Sequence, residues 1–434
     1  MSSGSAAAAA PHAGANPLVR LVRTAGLEAS LAVASLGAIG LHVLDDNFLR
    51  PQPGTAAGDH LASGLVPVAI LAAVAAAYPR LPAWLRATVA ATFGALGVAI
   101  AVPSVYYLLD GSAERAHSSG LLALAAGAVL LVVAPVTLWR TRRRDGSRRR
   151  RAVRWGLKTL AAVPLGLALL LFVVFPVGFS YGYTHIGRTG PPPALGLPHE
   201  AVTVTTADGL ELTALYVPSR NRAAVVVFPG SSAVAEARML ARNGYGVLLL
   251  DPRGQGGSEG DLVRWAGDLD LNAGAEYLRS RPDVDPERIG GFGSSVGGEI
   301  LLVAAAQSTL FKAVVSEGAG FPLGDADLGG VEGVLAKPIM LMLSASATVF
   351  ANHAPPTKIV DVIGRIAPRP VFLIYAEPGM GGEDVRQPKY FTAAGGQKAL
   401  WRVPGAEHTG GIDVRPAEYE RRVVDFLDAA LLAD

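Results

Sequence analysis

The chain has 434 residues, half of them apolar, a net charge of +2 and a mean hydropathy of +0.35. That length suggests two or three domains, and the apolar share is too high for one soluble domain. Near-neutral charge gives no global case for a nucleic-acid partner, and the absence of cysteine excludes disulfides, thiol catalysis and Cys-based metal sites.

Residues 1–19 are rich in Ser, Ala, Gly and Pro and are expected to be a disordered tail. A cleaved signal peptide is not expected, because further apolar segments follow and the basic residues start only at Arg20. Residues 20–182 read as a transmembrane region. Crossing a bilayer takes about 20 apolar residues, and five segments meet that length: 25–44, 61–78, 85–109, 120–139 and 157–180. Pro103 and Pro135 fall inside two of them, which membrane helices tolerate.

Basic residues set the expected direction. Arg140, Arg142, Arg143, Arg144 and Arg148 to Arg151 form the strongest positive block in the chain, between two spans, which marks that loop as cytoplasmic. The loop holding Arg80 and Arg86, and the N-terminus with Arg20 and Arg23, then fall on the same side. The loops at 45–60 and 110–119 lie outside, and an odd number of spans puts everything after about residue 181 outside too. A multi-pass cell-membrane protein with an extracytoplasmic C-terminal half is expected. A transporter is the less favoured reading, since the spans hold little ionisable besides Glu28 and His42.

Residues 183–198 read as a Gly/Pro-rich linker that includes Pro191-Pro192-Pro193. Next, 202–206 and 210–216 alternate β-formers around Asp208-Gly209, which predicts a hairpin. Six short apolar strands follow: Ala223–Phe228, Gly246–Leu250, Ile289–Phe292, Ala313–Val315, Val371–Tyr375 and Ala399–Val403. Helical segments at Ala233–Arg242, Ala266–Ser280, Gly298–Gln307 and Ala417–Leu432 lie between or after them. This order predicts a mostly parallel sheet with helices on both faces, with ligands at the carboxyl ends of its strands. An apolar insert at 318–368 reads either as a lid or as core helix.

Gly293-Ser294-Ser295-Val296-Gly297 sits between a strand and the small-residue start of a helix, which suits a serine nucleophile on a tight turn. Gly256-Gly257-Ser258-Glu259-Gly260 has the same pattern without the strand–turn–helix context. A serine needs a base, and of eight histidines only His408 follows a late strand, just before the terminal helix. Asp251 and Arg253 are expected to form a structural pair or a turn contact in the loop after Leu250.

With these residues in place, the segment from about residue 200 onward resembles the α/β-hydrolase superfamily, in particular its serine esterase and lipase-like members. The resemblance is carried by Val225-Val226-Val227-Phe228-Pro229-Gly230, by Asp251-Pro252-Arg253-Gly254-Gln255-Gly256-Gly257-Ser258-Glu259-Gly260, by the Ser295 turn and by the His408 loop. It implies an α/β-hydrolase domain at 199–434 that cleaves an ester-type acyl bond of a small or lipid-like substrate. It also implies an oxyanion hole from the N–H groups of Ser231 and Val296, with Gly293 and Gly297 flanking the nucleophile. Many members have His-Gly where this chain has Pro229-Gly230. The superfamily order puts the acid between Ser295 and His408: Glu383 is the first choice, with Asp384 and Glu317 as alternatives. No metal, nucleotide or redox cofactor is implied, there being no Walker motif and no HExxH. A non-catalytic domain that binds a ligand or partner is the rival reading.

Overall fold

In the computed structural model, residues 17–141, 147–191, 194–320, 330–377, 379 and 382–433 are described. The tail up to residue 16, Arg142 to Gly146 of the arginine block, Pro192 and Pro193, and 321–329 of the insert lie outside the described residues.

The N-terminal part is a helical bundle: α1 Pro17–Leu44, α2 Leu61–Ala77, α3 Ala83–Leu109, α4 Ser118–Arg140, α5 Arg148–Leu169 and α6 Phe175–His185, the last two joined through a π-helical turn. Five stretches are long and apolar enough to cross a membrane: Gly26–Leu49, Ala57–Arg80, Ala83–Leu109, Ser118–Arg140 and Leu160–His185. The first and fifth run further than their apolar composition predicts. Polar side chains at their ends, Asp46 and His185, bond to each other. Small residues let the helices approach closely: a Cβ on Gly127 would stand 2.7 Å from Gly94 O.

The C-terminal part is one eight-stranded sheet in the order β1-β2-β4-β3-β5-β6-β7-β8. Its strands are β1 Glu200–Thr205, β2 Glu211–Val217, β3 Ala224–Phe228, β4 Gly246–Leu250, β5 Ile289–Ser294, β6 Ala313–Glu317, β7 Val371–Glu377 and β8 Lys398–Pro404. β1 and β2 pair antiparallel, β2 joins β4 antiparallel, and every later pairing is parallel. The hairpin closes with Gly209 at φ 89°, a conformation that favours glycine. This is the α/β-hydrolase fold.

The helices are α7 Val234–Arg242, α8 Asp268–Arg279, α9 Val296–Gln307, α10 Gly330–Phe350, α11 Ile359–Val362, α12 Glu383–Ala393, α13 Gly411–Val414 and α14 Pro416–Leu431. The two-residue period of a strand sorts β3 cleanly. Ala224, Val226 and Phe228 join one core layer with Leu271 and Leu301, while Val225 and Val227 join the other with Leu240 and Leu427. Each such buried Leu or Val contributes roughly 1.5–3 kcal/mol. A one-residue slip of β3 would exchange the two faces.

The two parts share an extensive junction. Arg264 Nε donates to Tyr183 O at 2.7 Å, and its Nη2 to Ile186 O at 2.5 Å. Gly260 N–H donates to Pro53 O at 2.8 Å, and Arg115 Nη2 to Gly256 O at 2.5 Å. The loops that meet the sheet domain are therefore those near residues 53 and 115. Burial holds the Arg264 guanidinium below its ordinary pKa.

Candidate active site

β5 ends at Ser294 and α9 begins at Val296, so Ser295 alone forms the turn, with φ 55° and ψ −123°. A side chain at positive φ is strained and persists only where its surroundings enforce it. Here the enforcement is close packing. A Cβ on Gly293 would lie 2.5 Å from Gly297 O, one on Gly298 would lie 2.6 Å from Ser316 Oγ, and one on Gly297 would overlap Phe228 and Pro229. Glycine at these positions lets the start of α9 press against the ends of β3 and β6. Ser295 N–H is fixed to Glu317 O at 2.8 Å, which leaves Oγ at the carboxyl edge of the sheet.

Ser295 Oγ lies 2.8 Å from His408 Nε2, and His408 Nδ1 lies 3.1 Å from Glu383 Oε1. With Nδ1–H donating to the carboxylate, Nε2 is the acceptor for the serine hydroxyl. Glu383 is fully buried. It is not the loop residue its Gly-rich surroundings predict but the first residue of α12, where the positive end of the helix favours a carboxylate. α12 is clamped by Arg386 Nη1 donating to Gly320 O and Gln387 Nε2 donating to Ala319 O, both at 2.7 Å. Gly320 makes room, since a Cβ there would stand 2.7 Å from Glu383 Cβ.

The alternative acids go elsewhere. Asp384 is one position further round the same helix, about 100° away, and is exposed. Glu317 is buried at the end of β6, where it accepts the Tyr419 hydroxyl at 2.5 Å and Gly411 N–H at 3.3 Å. Burial foremost, and then the neighbouring Glu383 charge against the relief from Tyr419 and Gly411, leaves the Glu317 carboxyl pushed up to about 7. Glu236, in the first turn of α7, is pushed up to about 8 by burial and then by Glu317.

For an oxyanion, Val296 and Gly297 open α9, and first-turn N–H groups have no acceptor within their own helix. In the turn after β3, Gly230 N–H is bound to Leu250 O and Ser232 N–H to Pro229 O. Ser231 N–H takes part in neither bond. A small cleft adjoins these groups, with Phe228, Pro229, Arg253, Val263, Arg264 and Ile300 in its walls beside Val296 and Gly297. Ile300 also borders a second, more open hollow with Trp265, Val303 and His353. Among the described residues no group of three or more His, Asp or Glu is arranged to hold a metal ion.

Three expectations need correction or completion. Asp251 and Arg253 do not pair: Asp251 meets Arg188 at 2.5 Å, while Arg253 meets Asp270 at 2.7 Å and Asp208 at 2.9 Å. Arg253 is held to Asp270 by its backbone N–H at 2.9 Å and its Nε at 2.8 Å, which turns its side chain toward α8 and leaves Asp251 to Arg188. Ser258, the serine of the other glycine motif, is structural, since its Oγ donates to Asp251 O at 3.0 Å and accepts Thr213 N–H at 2.9 Å. The spans are also less bare of ion pairs than they read. Asp46 holds His117 at 3.0 Å and His185 at 3.1 Å and accepts the Tyr181 hydroxyl at 3.0 Å. No local period in the sequence announces this cluster, because its members come from separate helix ends.

Residues 231–322 match the model of the prolyl oligopeptidase family. Among curated relatives, the thiohydrolase aneE of Aspergillus aculeatus is 35% identical over 130 residues, 27% of this chain and 41% of that protein. The chain thus spans about two fifths of that relative's length. The uncharacterized protein YfhR of Escherichia coli K12 is 25% identical over 295 residues, 60% of this chain and 95% of that one. Solved structures with a related fold include the esterase Pf2001 of Pyrococcus furiosus, at 20% identity and TM-score 0.46 over 57% of this chain and all of that one. The α/β hydrolase GrgF of Penicillium follows at 20% and 0.44, over 55% of this chain and all of that one.

Proposed function

We propose, from the premise that an α/β-hydrolase domain is joined here to five apolar helices of spanning length, that the chain is a membrane-anchored serine hydrolase of acyl esters. The observation that carries this reading is the unbroken relay Ser295 Oγ–His408 Nε2–His408 Nδ1–Glu383 Oε1, at 2.8 and 3.1 Å.

In this reading Ser295 Oγ bonds to the acyl carbon as its proton passes to His408 Nε2. The bond from that carbon to the leaving oxygen then breaks, and His408 returns the proton to the departing alcohol. Water attacks the acyl-enzyme with the same proton traffic and releases the acid and free Ser295. The N–H groups of Ser231 and Val296 receive the developing oxyanion, each worth roughly 10²–10³ in rate. Glu383 holds the imidazole in one tautomer and stabilises its charged form.

An ester is favoured because most of the cleft wall is apolar, with Phe228, Leu262, Val263 and Ile300 beside Arg253, Gln255 and Arg264. A thioester or amide is the second reading, favoured by the thiohydrolase relative and by the family matched over 231–322. Fluorophosphonate labelling of the full-length protein tests the first step. A wild-type adduct lost in Ser295→Ala supports a serine hydrolase, and no adduct on folded protein supports the ligand-binding alternative. Matched oxygen ester, thioester and amide substrates then rank the three bonds.

The orientation belongs to the same proposal: N-terminus cytoplasmic, hydrolase domain extracytoplasmic. It is supported by Pro53 and Arg115, from two loops expected outside, both bonding to the hydrolase domain.

A further inference from the structure

We propose that the substrate of the Ser295 site is a bilayer-resident long-chain ester, taken up laterally beside α10, which itself lies in the hydrocarbon layer. This rests on the hydrolase reading above.

α10 is apolar on two opposite faces. One face packs inward. Met340, Leu343 and Ala347 are buried, Ser180 Oγ of the fifth span donates to Leu343 O at 2.8 Å, and the Phe350 ring stands edge-on to Tyr181 at 5.2 Å. Among the described residues nothing covers the other face. Val334, Pro338, Leu341 and Ala345 recur at steps of four, three and four, which is one stripe of a helix. All four are exposed, Val334 by 72% and Leu341 by 56%. Lys337 alone among the described exposed residues flanking this stripe is charged, at its margin, and an exposed apolar stripe of this length needs apolar surroundings.

What surrounds the stripe follows from its neighbours. α10 runs along α6 and reaches the π-helical turn at Leu170–Val174, well inside the fifth candidate span. Ser180 lies five residues before the span's end at His185, about 7 Å of helix. The fifth span is itself bare at Leu167, Leu171, Phe175 and Phe179. The exposed stripe of α10 thus continues a surface that only acyl chains can cover if that span crosses a bilayer. α10, the described helix of the insert, is accordingly set against the membrane bundle.

The inward face of α10 backs the reaction cleft. Leu343, Ala347 and Ala351 form one apolar cluster with Val263 and Trp265, and Tyr183 packs against it. Val263 and Ala266 are also walls of the cleft that contains Val296 and Gly297. α10, with Val263 and Trp265 packed on its inner face, therefore stands between lipid and the nucleophile's turn. An ester whose chain stays among its bilayer neighbours can present its carbonyl to Ser295 without passing through water.

The test uses the full-length protein in phosphatidylethanolamine–phosphatidylglycerol vesicles. Two probes are compared: 4-methylumbelliferyl palmitate dissolved in the bilayer, and 4-methylumbelliferyl butyrate in the buffer. Leu341→Glu puts a charge on the stripe, Leu341→Gln is the milder change, and Val360→Glu on α11 controls for a new surface carboxylate. Leu341→Glu is expected to cut palmitate turnover at least ten-fold and leave butyrate within two-fold, with Leu341→Gln intermediate and Val360→Glu unchanged. Palmitate turnover within two-fold of wild type, or both esters falling together, overturns the proposal. So does a wild type that cleaves butyrate but not bilayer palmitate, or a Leu341→Glu that changes the oligomeric mass in detergent, which assigns the stripe to a second copy. A wild type that cleaves neither probe and takes no fluorophosphonate overturns the hydrolase reading first, and this one with it.

Discussion

The carboxylate of Glu317 accepts the backbone N–H of Gly411 at 3.3 Å, three residues beyond His408, so a buried acid ties the end of β6 to the turn that carries the imidazole. Glu236 lies close enough for the Glu317 charge to raise it further. Both carboxyls sit above the ordinary value of 4.5, at about 7 and about 8. Between 4.5 and those values the folded chain keeps protons that the unfolded chain has released. This contribution to stability is whole below the unfolded value and is lost as the pH rises through the folded ones. At about 1.4 kcal/mol per pKa unit, the loss is on the order of a few kcal/mol. Thermal midpoints in detergent from pH 5 to 8 should fall for wild type and fall less steeply for Glu236→Gln. Parallel curves for the two proteins refute this.

Among the three candidate acids, geometry singles out Glu383. Glu383→Gln keeps the size but loses the charge that orients and stabilises His408, and turnover should drop by roughly 10³–10⁴. Asp384→Asn changes an exposed neighbour and should stay within about two-fold. Glu317→Gln keeps an acceptor for Tyr419 and should cost far less than Glu383→Gln. Turnover of a soluble ester by the three variants decides the order, and a larger loss at 317 than at 383 reverses the assignment.

Gly293 and Gly297 face backbone, not flexible side-chain ends, so neither neighbour can yield cheaply. Alanine at either position should force α9 away from β3 or β5. Overpacking of this kind costs roughly 1–3 kcal/mol. Because Val296 N–H moves with α9, activity should fall further than stability alone explains. Fluorophosphonate labelling rate and thermal midpoint, measured together on Gly297→Ala, check this. A lowered midpoint with an unchanged labelling rate contradicts it.

Much of this was legible in the sequence because it is local. Strands β3 to β8 announce themselves as short apolar runs, and Ser295 is marked by glycines that the turn requires. His408 is marked by following a late strand. Glu383 was harder, because its position depends on α12, a short helix interrupted by Pro388 that begins after a Gly-rich run. The partners of Asp251 and Arg253 were not visible, since Arg188 and Asp270 are brought to them by the fold. The Asp46 cluster draws on the ends of three spans, and α10 is apolar on both faces, so periodicity cannot say which face meets protein.

The junction bears on orientation in a way that labelling can read. Gly260 is bonded to Pro53, and Asn352 reaches Asp59, so the first loop lies on the same side as the hydrolase domain. The loop between the second and third spans lies at the opposite end of the bundle if both helices cross. Because the chain lacks cysteine, single-cysteine variants carry no background. Ala57→Cys and Glu287→Cys are exposed sites on the first loop and the hydrolase domain, and Pro82→Cys is exposed on the far loop. In intact cells an impermeant maleimide should label the first two and leave Pro82→Cys unlabelled until the membrane is opened. Labelling of Pro82→Cys alone inverts the orientation but keeps the odd number of crossings. Labelling of all three without permeabilisation removes the crossing between residues 57 and 82, and the five-span topology with it.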